Sequence, residues 1–257
     1  MTDAKITKQP ITHQFQLSKN QSPTSKEDIE YMSNIPYSNA VGLIMYLMVC
    51  TQPDLAHVMS LLSKYMANPG KEHWEAMKWT LRYLVGMTKV GLIYRRQNST
   101  TDLEGYCDAD YAWDRDSRRS TSAYLFLIGG NCVSWKVQIQ PAVVLSTTES
   151  KYIVVTEAIK EALWLRGLLE EVTGYKKTPT VYSDSQSCIH LCKNPFFHDK
   201  TKHVEIKYYF IRDKVTEGHV SILKVPTEEN PSDMGTKVVT LHKFKLCMNF
   251  LGVEYGG

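Results

Sequence analysis

Residues 103–135 read LEGYCDADYAWDRDSRRSTSAYLFLIGGNCVSW, and this stretch determines the fold class. Apolar and polar side chains alternate loosely over residues 103–108 and 122–128, and a third run of this kind covers residues 132–135. Such alternation is typical of β-strands. The sequence Gly129-Gly130-Asn131, between the second and third runs, indicates a tight hairpin turn. We therefore predict three consecutive antiparallel strands.

The sequence that follows alternates between helical and extended patterns. Residues 147–173 carry apolar side chains spaced by three or four, which predicts one long helix. Short strands are predicted over residues 180–183 and 220–225, and further helices up to residue 192, over residues 201–215 and from Asp233 onward. The order β-β-β-α-β-α-α-β-α predicts an α/β fold, in which a mixed five-stranded sheet carries helices on its faces.

The first hundred residues have a different pattern. Residues 1–35 are polar without a sustained period, so we expect an extended lead-in. Apolar residues then recur at helical spacing over residues 38–87, with breaks near Pro53 and Pro69, which predicts three helices. The chain is thus expected to contain a small helical unit over residues 36–98, followed by the α/β domain over residues 99–257.

Composition excludes several classes of protein. The 257 residues are 43% hydrophobic and 22% charged, as in ordinary globular domains, and the net charge of +3 permits a polyanionic partner without requiring one. The six cysteines form no C-x-x-C pair, which argues against a zinc ribbon or a redox motif. The first residues contain no signal-peptide core, and the longest apolar run is shorter than the roughly 20 residues of a membrane span. We expect an intracellular protein, cytoplasmic or nuclear, with no membrane partner.

Three aspartates lie where an α/β sheet usually builds its site. Asp108 ends the first predicted strand, Asp184 follows the fourth, and Asp233 begins the last helical region. A carboxylate cluster at such a place is suited to holding two Mg²⁺ ions, which clamp the attacking and leaving oxygens of a phosphodiester. The alternative is that each aspartate merely caps a helix or forms a turn.

The motifs of the chain resemble a known family. They include PYSNAVGLIMYLMVCTQPDLAHVMSLLSKYM, GYCDADYA, LSTTESKY, VYSDSQSCIHLCKNP, TKHVEIKYYFIRDKV and ENPSDMGTK. In this order they resemble the C-terminal part of plant copia-type retrotransposon Pol polyproteins. The resemblance implies a reverse transcriptase tail followed by a ribonuclease H-like domain, which hydrolyses the RNA strand of an RNA–DNA hybrid with Mg²⁺ or Mn²⁺. It also implies that Asp108, Asp184 and Asp233 are catalytic, metal-binding aspartates. No Asp-Asp pair occurs anywhere, so the polymerase motif Y-x-D-D is absent from this chain.

The second catalytic carboxylate is the main departure from the family. The usual pattern is T-E-x-E-Y, whereas this chain has Thr-Glu149-Ser-Lys151-Tyr. The apolar stripe predicted to face the sheet includes Val155, and residue 151, four positions earlier, lies on the same side of the helix. Lys151 therefore faces the sheet, whereas Glu149 lies about 160° around the helix axis from the centre of the stripe. Lys151 is therefore predicted to replace the catalytic glutamate, and Glu149 to complete a capping box with Ser146. Simple motif matching favours Glu149 instead, so Glu149 stays a candidate catalytic residue.

Basic residues supply candidate nucleic-acid contacts. In the predicted helix over residues 201–215, basic side chains flank an apolar stripe, and Arg118 and Arg119 follow the first strand. The candidate phosphate-binding residues are Arg118, Arg119, Lys202, His203, Lys207 and Lys214. The alternative for the helix is a core element with a solvated edge. Trp113 replaces a usual glycine and either crowds the approach to Asp108 or lies at a surface turn.

Three hypotheses follow for function. The first is a two-metal endonuclease acting on RNA–DNA hybrid, impaired by Lys151. The second is a catalytically inactive transposon relic that still binds nucleic acid. The third is a domain reused for protein binding, with a reverse transcriptase polymerase domain as one partner, and this hypothesis requires an exposed apolar patch.

Overall fold

The structure is a computed structural model that describes residues 5–96, 102–174, 176–193 and 210–255. Within these ranges, no helix is long and apolar enough to cross a membrane.

The expectation of an extended lead-in is wrong over part of its length, because residues Lys26–Ser33 form a helix, α1. Its start is stabilised by Ser25, whose side chain accepts a hydrogen bond of 3.1 Å from Asp28 N. The helix has only 8 residues and buries only Met32, so it is too short to show a sustained apolar period.

The predicted three-helix unit is present. It consists of α2 (Tyr37–Cys50), α3 (Ala56–Leu62) and α4 (Lys71–Gly86). Pro53 opens a short 3-10 turn, Pro53–Leu55, that leads directly into α3. A short strand, β1 (Val90–Leu92), follows α4.

The second part of the chain forms the predicted five-stranded sheet. Its first three strands are β2 (Leu103–Asp110), β3 (Thr121–Ile128) and β4 (Asn131–Ile139), joined antiparallel. The hairpin between β3 and β4 turns at Gly129 and Gly130, whose φ angles of 54° and 75° are readily adopted only by glycine.

Up to the helix that begins at Asp233, the remaining elements follow the predicted order, whereas the strand over Val253–Tyr255 was not predicted. The remaining elements are α5 (Thr147–Thr173), β5 (Thr180–Ser183), α6 (Gln186–Lys193), the helical residues 210–216 (α7), β6 (Ser221–Lys224), α8 (Asp233–Thr236), α9 (Leu241–Phe250) and β7 (Val253–Tyr255). The strand order is β4-β3-β2-β5-β6, and β5 runs parallel to both β2 and β6. The prediction of a mixed five-stranded sheet with flanking helices is confirmed.

Two hydrophobic clusters hold the sheet. On one face, α5 buries the predicted stripe that includes Val155, Ala158 and Ala162. On the other, the sheet shares a cluster with the helical unit and α9, in which Leu62 and Leu125 both take part. β1 also pairs antiparallel with β7. The two segments on either side of residue 98 therefore share a core, and their division into domains stays a prediction.

Candidate active site

Three elements bring the predicted aspartates to one edge of the sheet. Asp108 lies within β2, which continues to Asp110 and so runs two residues past the predicted strand end. Asp184 directly follows β5, and because Cys107 is the register partner of Ser183, the two aspartates leave neighbouring parallel strands at the same level. Asp233 is the first residue of α8, which packs against β2 and β3. The topology therefore groups three side chains that are far apart in sequence.

Lys151 lies at the centre of this group. Its Nζ atom donates to Oδ1 of Asp108 and, at 2.5 Å, to Oδ1 of Asp184. Lys151 is one helical turn before Val155 on the sheet-facing side of α5, as the stripe predicted. Asp108 is only 1% exposed and Lys151 16%, so the ion pair is largely shielded from water.

Two further lysines complete the charge balance. Nζ of Lys237 lies 3.0 Å from Oδ1 of Asp233 and 3.6 Å from Oδ2 of Asp108. Nζ of Lys243 lies 3.9 Å from Oδ2 of Asp233 and also donates to backbone carbonyls of the turn before α8. Among the described residues, three ammonium groups thus face the three predicted aspartates, and Asp110 is a further carboxylate that interacts electrostatically with Lys237 and Lys151. Sequence reasoning missed Lys237 and Lys243, although the i,i+4 spacing of Asp233 and Lys237 was a usable signal.

Hydrogen bonds from threonine hydroxyls fix the second carboxylate oxygens of Asp108 and Asp184. The Thr236 hydroxyl donates to Oδ2 of Asp108. The Thr227 hydroxyl donates to Oδ2 of Asp184 at 3.3 Å. Asn230, which is fully buried, donates from its amide to the carbonyl of Cys107 at 3.1 Å and so ties the turn before α8 to β2. The cluster is therefore ordered by the chain itself.

The titration behaviour of the groups reflects this balance. Burial alone would raise the pKa of Asp108, but Lys151 and Lys237 hold that pKa below its ordinary value. Burial alone would lower the pKa of Lys151, but Asp108 and Asp184 raise it above its ordinary value. Burial, followed by repulsion from Asp108, raises the pKa of Asp233 to about 6 against the opposing effect of Lys237 and Lys243. Asp108 and Lys151 are thus both charged at neutral pH.

The residues as they stand do not fit a divalent cation. Carboxylate oxygens are the donors that Mg²⁺ prefers, and three aspartates supply them. However, the ammonium of Lys151 is bonded to Asp108 and Asp184 together, and Lys237 contacts Asp108 and Asp233. In the part of the chain that the structure describes, no three His, Cys, Asp or Glu side chains are grouped so that they could hold a metal ion. The lysine ammonium groups are thus bonded to the carboxylates that would otherwise be free to hold a cation.

Glu149 lies away from the aspartates. Its Oε2 atom accepts a hydrogen bond of 3.0 Å from Leu145 N, and Ser146 Oγ accepts one of 3.1 Å from Glu149 N. The bond from Glu149 N to Ser146 Oγ is the predicted cap. The predicted capping box is incomplete, because the Glu149 carboxylate accepts from Leu145 N and not from Ser146 N. Among the described contacts, none joins Glu149 to Asp108, Asp184 or Asp233. A catalytic role for Glu149 stays a prediction without geometric support.

The loop between β2 and β3 carries two of the predicted basic residues. Arg118 and Arg119 are both exposed, and Arg118 has a φ of 59°. The loop is anchored on the helical unit, because Lys64 pairs with Asp114 and the Tyr65 hydroxyl donates to Asp116 at 3.1 Å. The anchoring presents the two arginines to solvent from a defined position.

Among the other predicted contacts, the structure describes only Lys214. Lys214 pairs with Glu217 at 2.9 Å. Lys202, His203 and Lys207 lie outside the described residues. Trp113 packs beside His57, with ring centroids 6.4 Å apart, and is partly buried, so it is not simply a solvent-facing turn residue.

The strand order, with three antiparallel strands followed by two parallel ones and acidic residues at β2, β5 and α8, defines a ribonuclease H-like domain. Solved structures with some likeness include LC11-RNase H1, isolated from compost, at 14% identity and a TM-score of 0.40 over 52% of this chain and 91% of that one. Another is the N-terminal RNase H domain of rv2228c from Mycobacterium tuberculosis, at 10% identity and a TM-score of 0.40 over 58% and 98%. The fold class rests on the strand order and not on these superpositions.

Sequence comparison shows the family. The chain is 46% identical over 254 residues to the retrovirus-related Pol polyprotein from transposon TNT 1-94 of Nicotiana tabacum, covering 99% of this chain and 19% of the polyprotein. It is 36% identical over 218 residues to the corresponding polyprotein of transposon RE2 of Arabidopsis thaliana, covering 84% and 15%. The chain belongs to the retrovirus-related Pol polyproteins of plant transposons and spans less than a fifth of the length of these relatives.

Two further results complete the comparison. The secreted RxLR effector protein 161 of Plasmopara viticola is 51% identical over 134 residues, which is 52% of this chain and 94% of that protein. No protein-family model matches the chain. The polyprotein matches cover far more of the chain than the effector does, which agrees with the resemblance found in its motifs.

Proposed function

We propose that this segment is a ribonuclease H-like domain that binds RNA–DNA hybrid, or another nucleic acid, and whose hydrolysis of the RNA strand is disabled by Lys151. One observation carries the proposal: the ammonium of Lys151 is paired with both Asp108 and Asp184. An ammonium in this place repels Mg²⁺ and satisfies the oxygens that would otherwise bind it. Displacing the Lys151 ammonium would leave the buried carboxylate of Asp108 without its partner, which costs free energy.

Nucleic-acid binding is the part of the function that the substitution leaves intact. Arg118 and Arg119 are exposed on an anchored loop and suited to phosphate oxygens, which position a substrate without reading its sequence. Binding of this kind weakens as salt concentration rises. The proposed domain therefore binds the hybrid through surface residues such as Arg118 and Arg119, while Lys151 stays paired with Asp108 and Asp184.

The test compares cleavage and binding of a labelled RNA–DNA hybrid with Mg²⁺ or Mn²⁺. The native chain should bind and not cleave, and Lys151→Glu should bind and cleave. Lys151→Met is the matched control, because it removes the ammonium without adding a carboxylate, and it should remain far less active than Lys151→Glu. Efficient cleavage by the native chain, abolished by Glu149→Gln, would refute the proposal and assign the role to Glu149.

A second candidate function, protein binding, is supported by the outer face of α2. This helix buries Tyr37, Val41 and Ile44 on one side, yet Leu43 and Tyr46 on the other are each 72% exposed. A helix that is apolar on all sides is normally covered. Because the chain spans only 19% of the tobacco polyprotein, we propose a polymerase domain of the same polyprotein as the partner.

A binding assay with that polymerase domain tests the second candidate. Tyr46→Lys should weaken association at least tenfold, because it places a charge in an apolar interface. Tyr94→Lys, at another exposed tyrosine outside α2, is the matched control and should bind as the native chain does. Equal binding by all three chains, or none by the native chain, would refute this partner.

A further inference from the structure

Two residues that line one small cavity between the helical unit and α8 each carry a buried polar atom without a hydrogen-bond partner among the described residues. The two atoms are Oδ1 of Asp54 and Nε2 of His57. Asp54 is 2% exposed and His57 4%. The lining residues include Gln9, Asp54, His57, Lys237, Val239 and Phe244. An unpaired buried polar atom costs free energy comparable to a lost hydrogen bond, so two of them at one cavity indicate an occupant.

The chemistry of both atoms is set by their other contacts. Nδ1 of His57 lies 3.2 Å from the carbonyl oxygen of Gly235, which can only accept, so Nδ1 carries the proton. Burial lowers the pKa of His57 to about 4, and the neutral ring therefore has an accepting Nε2 at pH 7. Oδ2 of Asp54 accepts from the Tyr83 hydroxyl at 2.7 Å, and Oδ1 is a second acceptor. Lys237 cannot serve both atoms, because its ammonium is paired with Asp233 and Asp108.

We infer that this cavity binds a water molecule that donates hydrogen bonds to Oδ1 of Asp54 and Nε2 of His57, and that His57, so held, is a positioning residue for Asp233. A water is the smallest molecule with two donors, and a polar cavity of this kind is where buried water is found. The inference uses the proposed function only in treating Asp233 as a site residue.

The link to Asp233 runs through α8. Gly235 lies in this four-residue helix, between Asp233 and Lys237. A Cβ atom at Gly235 would lie 2.7 Å from Cβ of Ala123, so α8 rests directly on the sheet on one side. On the other side the His57 ring bonds the Gly235 carbonyl. The helical unit thus takes part in placing the carboxylate of Asp233.

The water is tested by a crystal structure of the full chain. We expect density within hydrogen-bonding distance of both Asp54 Oδ1 and His57 Nε2. Nitrogen NMR of the histidines should show His57 neutral and protonated at Nδ1. An empty cavity, or a protein side chain bonded to both atoms, would overturn the water site. Neither readout depends on cleavage, so failure here is distinct from failure of the proposed function.

The positioning role is tested by amide hydrogen exchange in three variants. His57→Leu should speed exchange at Gly235 and Lys237 about tenfold, as expected for the loss of one hydrogen bond. His57→Asn keeps a donor near the position of Nδ1 and should restore slow exchange. His73→Leu is the matched control, because His73 is equally buried in the helical unit but bonds Gly70 and Ser18. If His57→Leu affects Gly235 and Lys237 no more than His73→Leu does, His57 has no positioning role.

Discussion

Nζ of Lys151 lies 2.5 Å from Oδ1 of Asp184, so that the carboxylate directly after β5 is bound to a cation which the chain itself supplies. The same ammonium bonds Asp108 on the neighbouring strand. Lys151 on α5 thus joins Asp108 and Asp184 in a buried ion-pair network. The network has a consequence for stability that can be measured.

Removal of the Lys151 charge should destabilise the fold. In Lys151→Met, Asp108 keeps its buried charge but loses its nearest partner, so we expect the free energy of unfolding to fall by about 3 kcal/mol. Urea denaturation at pH 7 measures this change. Lys160→Met is the matched control, since Lys160 lies on the same helix in an exposed pair with Glu157, and it should change stability by less than about 0.5 kcal/mol. Equal effects of the two substitutions would contradict the ion-pair account.

Asp54 should make stability depend on pH in a defined direction. Burial raises its pKa from 3.8 to about 6. A raised pKa means that its contribution to stability is complete below about pH 4 and is lost as pH rises through 6. An asparagine side chain does not ionise, so the stability of Asp54→Asn relative to the native chain should increase by about 2 kcal/mol between pH 4 and pH 7.

Thermal or urea unfolding across this pH range provides the measurement for Asp54→Asn. The control is Asp213→Asn at an exposed aspartate, which removes the same formal charge. The relative stability of Asp54→Asn should change more with pH than that of this control. If the stability of Asp54→Asn relative to the native chain does not change with pH, Asp54 does not produce the predicted pH dependence.

Arg118 and Arg119 should contribute to nucleic-acid affinity through phosphate contacts. Replacing both with Ala should weaken hybrid binding and reduce the slope of log affinity against log salt by about 2. Fluorescence anisotropy at several salt concentrations measures both quantities. Lys78→Ala, at an exposed lysine of α4 paired with Glu75, serves as the control and should leave the slope unchanged. An unchanged slope in the double variant would remove these arginines from the interface.

Gly235 should be required for the close approach of α8 to the sheet. In Gly235→Ala the new Cβ would lie 2.7 Å from Cβ of Ala123 and 3.0 Å from Cγ2 of Val137, which overpacks the site and should cost about 1–3 kcal/mol. Gly42→Ala on α2 is the control, because no atom lies within 4 Å of its added Cβ. That substitution should stabilise the fold by up to about 1 kcal/mol through helix propensity. Equal stability of the two variants would show that α8 can shift away from the sheet.

Local pattern predicted much of this structure. The period of two over β2 to β4, the Gly129-Gly130 turn and the stripe along α5 are properties of short stretches, and each forms the element expected from it. The same stripe placed Lys151 on the sheet-facing side, since residues four apart share a helix face. The family could also be recognised, because its motifs follow one another along nearly the whole chain.

What sequence pattern did not determine depends on how distant elements pack. No period marks Lys243 as a partner of Asp233 or His57 as a contact of Gly235. His57 and Gly235 meet only after the helical unit packs against the sheet domain. The sequence by itself therefore determined the five strands of the large sheet, most of the helices, their order and the family. Only the tertiary structure decided which charges neutralise one another, since burial and distance set the strength of an ion pair and neither is a local property of the chain.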